Sequence, residues 1–233
     1  MIPPNMRLPI LQGPLRGRWW IAGSSTNGCW LGSYEYAKQR LLAELISDGD
    51  CVFDVGANVG FYTLLAASKA GPSGRVIAFE PLPDNLRILR RHLQLNDVRN
   101  VTVIEAAAGD ADGTAHFAPH AHNSMGSLSD RGAIVVDMVS LDTLAESGKV
   151  PIPRAMKIDV EGAELRVLRG AARLLERSRP IILLATHSTS LHRECCDFLR
   201  SAGYSLRPID DSISSIDATD EILATPRDSH VTA

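Results

Sequence analysis

The chain has 233 residues, a length typical of one globular domain with a short appendage. Hydrophobic residues make up 45% and charged residues 22% of it, as in globular chains with a substantial core. The net charge of −3 gives no basic surface for nucleic acid, and no apolar run approaches the ~20 residues of a transmembrane helix. Because the four cysteines form no disulfide pattern and no signal-peptide core is present, we expect a cytoplasmic protein without membrane or nucleic-acid partners.

The first 50 residues differ in composition from the rest of the chain. They contain all three tryptophans and four of the thirteen prolines. Residues 22–28 (AGSSTNG) are typical of a loop, whereas residues 36–46 (YAKQRLLAELI) have the apolar spacing of a helix. We therefore predict an irregular arm plus one helix over residues 1–50. The tryptophans are typical of packing against the main domain or in a homodimer contact, and the alternative is a lid over a ligand pocket.

From Cys51 onward, short apolar runs alternate with amphipathic helical stretches. The predicted strands are 51–56, 74–81, 101–109, 154–162 and 180–187, with two short candidates near the C-terminus. The predicted helices are 61–71, 82–96, 163–178 and 191–203, the third with Leu165, Leu168, Ala172 and Leu175 facing inward. This alternation predicts an α/β domain over residues 51–227, with a parallel sheet covered by helices on both faces. Residues 110–131 predict a hairpin or loop, and residues 228–233 a frayed tail.

A glycine-containing loop follows the first predicted strand, at the sheet edge where such folds bind ligands. Gly56 allows a sharp turn, Asn58 tolerates left-handed backbone, and Gly60 would let the helix pack tightly on the strand. Glu80 ends the second strand, where a carboxylate can accept hydrogen bonds from both ribose hydroxyls of a nucleoside. The alternatives are a tight turn without a ligand and a solvated charge at a strand end.

The spacing of this loop distinguishes two classes of nucleoside ligand. A dinucleotide fingerprint needs G-x-G-x-x-G, whose amides face a pyrophosphate, whereas the loop has GANVG. S-adenosylmethionine has no phosphate, and Asp54 at the strand end could favour its ammonium or sulfonium group directly or through water. The loop therefore favours S-adenosylmethionine as the cofactor.

Three segments in order resemble the FkbM family of S-adenosylmethionine-dependent methyltransferases. They are residues 54–67 (DVGANVGFYTLLAA), 76–89 (VIAFEPLPDNLRIL) and 156–171 (MKIDVEGAELRVLRGA). The resemblance runs from Gly32 to Tyr204. It implies a Rossmann-like fold with a seven-stranded, mostly parallel sheet whose last strand is antiparallel. It also implies transfer of a methyl group to an oxygen, often a hydroxyl of a sugar or other natural product.

The resemblance further implies which residues bind the cofactor and which act in catalysis. The matching cofactor positions are Asp54, Gly56, Asn58, Gly60 and Glu80, with Ala108 and Asp110 near the adenine and Glu35 in a further motif. Asp159 and Glu161 match the acidic motif beside the transferred methyl group. One departure is Ala185, because relatives often carry a glutamate two residues before the position of His187.

The chemistry of an alcohol acceptor calls for a general base, because an alcohol is a poor nucleophile at neutral pH. Asp159, Glu161 and His187 follow neighbouring strands and are the candidates. The alternatives are acids that stabilise a helix N-terminus, as we also expect of Glu164, and a histidine bonded to backbone. The same three residues could hold a divalent cation, although no motif requires one.

We therefore expect an S-adenosylmethionine-dependent O-methyltransferase that acts on a hydroxyl of a small metabolite, sugar or natural product. A methyltransferase acting on nitrogen or on RNA is an alternative, against which the absence of a basic stripe argues. A nucleoside-binding scaffold without turnover is another, which the alanine at position 185 leaves open. Residues 1–35 and 110–131 are expected to shape the acceptor site, and no motif there identifies the acceptor.

Overall fold

The computed structural model describes residues 3, 5–119, 126–128 and 134–227. The predicted tail at 228–233 and part of the predicted loop at 110–131 lie outside the described residues. In the described part of the chain, no helix combines the length and the apolar character needed to cross a membrane.

The secondary structure alternates as the sequence predicts from position 51 onward. The strands are β1 (Arg7–Pro9), β2 (Trp19–Ile21), β3 (Cys51–Val55), β4 (Arg75–Phe79), β5 (Val101–Ile104), β6 (Ala107–Gly109), β7 (Gly113–Pro119), β8 (Gly126–Leu128), β9 (Ile134–Ser140), β10 (Ala155–Ile158), β11 (Ile181–Ala185), β12 (Tyr204–Pro208) and β13 (Glu221–Pro226). The helices are α1 (Asn27–Leu31), α2 (Tyr36–Leu45), α3 (Phe61–Ala70), α4 (Pro83–Leu95), α5 (Leu141–Glu146), α6 (Glu164–Arg169), α7 (Ala172–Ser178) and α8 (Thr189–Ser201).

Seven strands form the central sheet in the order β12-β13-β11-β10-β3-β4-β5. All run parallel except β13, which is antiparallel to both of its neighbours. Side chains alternate between the faces, so Val52 packs with α2, α3 and α4 on one side, while Phe53 packs with α5 to α8 on the other. The predicted seven-stranded Rossmann-like α/β fold, with helices on both faces and an antiparallel last strand, is confirmed.

The N-terminal arm is more regular than the sequence suggests. Strands β1 and β2 form an antiparallel hairpin, and α1 begins inside the predicted loop at 22–28. Helix α2 lies where the apolar spacing predicts it. The ring of Trp20 is fully buried in the core and stacks on the imidazole of His92 in α4, with the centroids 3.9 Å apart. The arm is therefore anchored to the helices on one face of the sheet.

The single strand predicted over 101–109 is wrong, because the chain changes sheets at Glu105 and Ala106. Strand β5 ends the central sheet, whereas β6 pairs with β9 in a second sheet of order β6-β9-β7-β8. Ala107 of β6 packs with Phe117 and Met138 of this second sheet, whereas Ala108 packs in the core between the central sheet and α5 to α8. An apolar run shows that a segment is buried but not which strand it pairs with, so its pattern could not reveal the break.

The single helix predicted over 163–178 is also wrong, because it divides into α6 and α7 at Gly170. A Cβ at Gly170 would overlap the carbonyl oxygen of Gly109, and the Gly170 carbonyl accepts a hydrogen bond from the Asp142 amide at 2.7 Å. The Asp142 carboxylate in turn accepts the first amides of α7. The chain therefore bends where it docks against its neighbours, and Ala172, predicted to face inward, is exposed.

Candidate active site

A pocket opens at the carboxyl ends of β3, β4 and β10, the sheet edge where the sequence places a ligand. The loops after these strands form its floor. The alanine-rich segment 106–108 and Phe117 form one wall. The arm closes the opposite side with Ser25, Thr26, Cys29 and Tyr34.

The turn after β3 leaves no room for a side chain at Gly56. Its φ is +81°, and a Cβ there would overlap the carbonyl oxygen of Asp159. The amides of Gly56 and Ala57 donate to the Phe79 carbonyl at 3.1 and 2.9 Å, which ties the turn to β4. Asn58 has a φ of +50°, as its tolerance of left-handed backbone predicts. The backbone of this loop is thus exposed to the pocket and fixed by both neighbouring strands.

Gly60 acts at a different contact from the one predicted. With a φ of +94° it precedes the first residue of α3, and a Cβ there would lie 2.6 Å from Leu89 Cδ1. The glycine therefore allows α3 to approach α4 rather than the strand, and it lies outside the pocket lining.

Glu80 lines the pocket as a buried carboxylate, only 4% exposed. Its Oε2 accepts the Asn58 amide at 2.8 Å, and its Oε1 accepts the Leu82 amide at 2.9 Å and Asn85 Nδ2 at 3.2 Å. Burial raises its pKa, and these hydrogen bonds oppose the rise. A carboxylate has about four acceptor positions and these bonds occupy three, so this fixed group retains one position, on Oε2, for a ligand hydroxyl.

Ala108 and Asp110, both predicted near an adenine, occupy different environments. Ala108 is buried in the pocket wall. Asp110 lies outside the pocket lining, and its carboxylate binds the guanidinium of Arg166 at 2.9 Å, which lowers its pKa. The structure therefore supports an apolar wall of alanines with Phe117, a residue the sequence analysis did not single out, and gives Asp110 no contact with the pocket.

Asp54 lies behind the pocket rather than in its wall. It is almost fully buried, accepts a hydrogen bond from Thr63 Oγ1 at 2.6 Å, and lies 3.5 Å from Lys157 Nζ. Lys157 does line the pocket, and its Nζ donates to the Gly56 carbonyl at 2.7 Å. The predicted contact of Asp54 with a ligand's cationic group is not supported, because the carboxylate instead holds this lysine in place.

Lys38 of α2 forms a buried charge cluster that the sequence analysis missed. It is only 2% exposed and pairs with Glu35 at 2.6 Å, with Glu221 of β13, and with Asp159 at 3.9 Å. Burial disfavours its charge, but the three carboxylates outweigh burial and raise its pKa. Glu35, which also accepts a hydrogen bond from Tyr62 at 2.7 Å, therefore links the arm to α3 and does not line the pocket, while Lys38 links the arm to β13 through Glu221.

The three predicted catalytic residues converge at the pocket's edge. His187 Nε2 lies 3.5 Å from Asp159 Oδ1 and 3.3 Å from Glu161 Oε2. On its other side, His187 Nδ1 lies 2.8 Å from Glu164 Oε1. Glu164 is fully buried at the start of α6, where its Oε1 also accepts the Val160 and Gly162 amides at 3.3 and 3.0 Å. Glu164 therefore joins the helix start, as expected of it, to the imidazole.

The charge state of His187 differs from the one that a general base requires. The hydrogen bond to Glu164 raises its pKa to about 9, against partial burial and with help from Asp159 and Glu161. In this arrangement the imidazole is protonated at neutral pH and has no lone pair with which to act as a base. Burial would raise the pKa of Asp159, but Lys157 and Lys38 outweigh it, and the net shift is downward.

The chain matches the FkbM methyltransferase domain over residues 54–206. It belongs to the FkbM methyltransferase family. A hexuronic acid methyltransferase, AglP, from Haloferax volcanii is 36% identical over 148 residues, covering 62% of this chain and 59% of that protein. Methyltransferase 1 from Beauveria bassiana is 29% identical over 147 residues, covering 53% of this chain and 59% of that protein. This FkbM chain thus spans about three fifths of the length of the curated relatives it matches.

Solved structures share the fold of this FkbM chain. The FkbM methyltransferase from Methylobacillus flagellatus superposes with a TM-score of 0.53 at 19% identity, covering 86% of this chain and 55% of that one. An S-adenosylmethionine-dependent O-methyltransferase from Thermotoga maritima gives 0.52 at 14% identity, covering 81% and 64%. At these identities the likeness shows the Rossmann-like methyltransferase fold.

Proposed function

We propose that the chain transfers a methyl group from S-adenosylmethionine to an oxygen of a small, hydroxyl-bearing acceptor, with a sugar as the best candidate. The observation that carries this proposal is the Glu80 carboxylate, buried at the pocket wall and fixed there by two backbone amides. It faces the same pocket as the exposed backbone at Gly56. A rigid carboxylate next to a close-approach turn is suited to a nucleoside with a free ribose hydroxyl.

The residues present fit each part of such a donor. Glu80 would accept a ribose hydroxyl at its remaining acceptor position, and the apolar wall at 106–108 with Phe117 would cover the adenine. The Gly56 turn would present backbone rather than a side chain to the methionine portion, because Gly56 lines the pocket and carries no Cβ. When bound, the donor supplies an electrophilic methyl group on a sulfonium, and the protein contributes mainly positioning.

The charge around the pocket edge favours a cationic occupant. Six carboxyl groups lie close to only three cationic side chains, Lys38, Lys157 and His187. The carboxyl groups belong to Glu35, Asp54, Asp159, Glu161, Glu164 and Glu221. This excess of negative charge would bind the sulfonium form more tightly than the neutral thioether that remains after transfer.

An oxygen acceptor is supported by the acids at the same edge. Asp159 and Glu161 line the pocket and can accept a hydrogen bond from an acceptor hydroxyl. In the transfer, the oxygen–methyl bond forms as the methyl–sulfur bond breaks, and the hydroxyl proton leaves to a carboxylate or to solvent. A sugar acceptor is favoured by the 36% identical relative, which is named for methylation of a hexuronic acid.

Calorimetry with S-adenosylmethionine and its demethylated product tests the donor assignment. We expect saturable binding, tighter for the sulfonium form, and an affinity about tenfold or more lower in Glu80→Gln, because hydrogen bonds to a charged group contribute about 1.5–3 kcal/mol. Glu105→Gln, the same change at an exposed position, is the matched control. No binding by the wild-type chain would favour the scaffold alternative, and an unchanged affinity in Glu80→Gln would remove the ribose assignment.

The acceptor is tested by incubating the chain with labelled donor and a panel of neutral sugars and uronic acids. Label transferred to a hydroxyl forms an ether that resists mild alkali, whereas label on a carboxylate forms an ester that alkali releases. We expect the alkali-resistant product. Amines and RNA are included as comparison acceptors: transfer only to amines would contradict the oxygen assignment, and transfer only to RNA would contradict a small acceptor.

A further inference from the structure

The strongest unassigned feature is the convergence of Asp159, Glu161 and His187. One ligand atom from each, two carboxylate oxygens and an imidazole nitrogen, lies within 4.8 Å of the other two. We infer that these three side chains form a binding site for one divalent cation of the Mg²⁺ and Mn²⁺ class, which would displace the proton that His187 Nε2 carries in the metal-free protein. Its role in catalysis rests on the proposed methyl transfer, but cation binding can be measured without it.

The spacing of the three atoms suits a common metal ion. His187 Nε2 lies 3.5 Å from Asp159 Oδ1 and 3.3 Å from Glu161 Oε2. Adjacent ligands about 2.2 Å from an octahedral ion lie roughly 3.1 Å apart, close to these two distances. The third pair, Asp159 and Glu161, lies within 4.8 Å, so side-chain rotation would bring the three ligand atoms to that spacing. His187 is 31% and Glu161 34% exposed, which leaves them free to make that adjustment.

Glu164 provides an independent observation. It is fully buried, and its Oε2 has no hydrogen-bond partner among the described residues. Its Oε1 accepts from His187 Nδ1, which turns Nε2 toward Asp159 and Glu161. A carboxylate behind a ligating imidazole is the usual arrangement at metal centres, because it fixes the tautomer and the ring orientation. Burying the Glu164 carboxylate costs free energy, and capping the start of α6 does not by itself require a buried charge. A cation bound on the far side of the imidazole would offset that cost.

The nearby lysines leave this position free. Lys38 and Lys157 approach the other carboxylate oxygen of Asp159, Oδ2, at 3.9 and 3.8 Å. Each lysine already has its own carboxylates, Glu35 and Glu221 for Lys38 and Asp54 for Lys157. Among the described residues, neither lysine forms an ion pair with Asp159 Oδ1, Glu161 or Glu164, so the oxygens that face His187 Nε2 stay available to a cation.

The three ligand atoms favour one class of cation and suggest what the bound cation would do. Two carboxylate oxygens with one imidazole suit Mn²⁺ or Mg²⁺ better than Cu⁺ or a structural zinc, which favour sulfur or several nitrogens. Three protein ligands leave open positions for water and for the acceptor's hydroxyl oxygen. Bound there, the hydroxyl would lose its proton to solvent more readily, and its oxygen would attack the sulfonium methyl as the methyl–sulfur bond breaks.

Titration of the EDTA-treated and dialysed chain with Mn²⁺, followed by the loss of the free-ion paramagnetic resonance signal, tests the inference. We expect one saturable site per chain. His187→Ala and Glu161→Gln should each weaken binding about tenfold or more, and Glu164→Gln about 10- to 100-fold. The matched controls His116→Ala and Glu44→Gln change the same residue types outside the cluster and should leave the affinity unchanged.

No saturable Mn²⁺ binding, or binding retained in the His187→Ala/Glu161→Gln double variant, would overturn the inference. Both positions are partly exposed, so this variant is expected to fold even if Glu164→Gln does not. Calorimetry with S-adenosylmethionine on the same samples separates the two proposals. Donor binding without Mn²⁺ binding overturns the cation site alone, whereas Mn²⁺ binding without donor binding supports the cation site and contradicts the proposed function.

Discussion

The two sides of the pocket are held in different ways. On the sheet side, Gly56 donates its amide to the Phe79 carbonyl of β4, and Glu80 accepts the amides of Asn58 and Leu82. On the arm side, side chains make the attachments: Tyr34 packs on Phe61, the ring of Trp20 stacks on His92, and Lys38 pairs with Glu221. The comparison teaches that the donor wall is part of the sheet itself, whereas the arm can be loosened by changing single side chains that do not line the pocket.

The packing of the arm distinguishes between the two roles considered for its tryptophans, packing and a lid over the pocket. Trp20 is buried against His92 and Phe61, and none of the three tryptophans lines the pocket. The packing interpretation is thus correct for Trp20, while other arm residues supply the cover over the pocket. A homodimer contact through the arm stays a prediction.

The largest effect is expected on the sheet side, from Gly56→Ala. The new Cβ would overlap the Asp159 carbonyl at a φ of +81°, so β3 and β10 must separate. We expect more than about 4 kcal/mol loss of stability or complete loss of donor binding, measured by urea unfolding and calorimetry. Gly148→Ala, also at a positive φ but with open space around it, should cost only about 1–2 kcal/mol. Similar effects at both positions would show that the turn is less constrained than its contacts indicate.

The next effect should come from the arm's charge cluster. Lys38→Met leaves the half-buried carboxylates of Glu35 and Glu221 without their buried cation, and removing one partner of a buried ion pair typically costs about 3–5 kcal/mol. Arg40→Met, on the same helix but 61% exposed, should change stability by less than about 0.5 kcal/mol. Urea unfolding of both variants makes the measurement. A loss below 1 kcal/mol for Lys38→Met would mean that the cluster does not hold the arm.

The smallest effect is expected from protonation of His92, the residue on which the Trp20 ring of the arm stacks. His92 accepts the Ile21 amide at Nε2 and donates from Nδ1 to the Val59 carbonyl, and burial lowers its pKa to about 4. Because the unfolded chain binds this proton more readily, the stabilisation is complete above pH 6.5 and is lost progressively toward pH 4. The loss for this group should reach about 3 kcal/mol.

The measurement for His92 is the slope of unfolding free energy against pH between 6.5 and 4. His92→Gln should lack this component of the slope, whereas His116→Gln, at an exposed position, should keep it. An identical slope in wild type and His92→Gln would exclude His92 as the acid-sensitive anchor.

Much of the sheet side could be predicted from the sequence because it depends on local patterns. Apolar runs ending in glycine mark buried strands, and the position of Glu80 after β4 follows from its place at the end of such a run. Motifs of this kind constrain backbone and neighbouring strands together, so Gly56, Asn58 and Glu80 lie where the sequence places them.

The roles of other residues could not be predicted because they depend on partners distant in sequence. Asp54 and Asp110 match family positions, but Lys157 and Arg166 hold them away from the pocket. His187 matches a base by residue type, yet Glu164, 23 residues earlier, determines its charge. Side-chain chemistry alone does not reveal such neighbours.

The sequence by itself thus determined the family, the parallel α/β architecture and the glycine turn with its acidic companion, since periodicity and close-packed turns act over a few residues. Only the tertiary structure decided where the chain leaves the central sheet after β5, how Lys38 joins the arm to β13, and which atoms meet at His187. These features arise from contacts between segments far apart in the chain, whose energies depend on burial and on charges that no local pattern specifies.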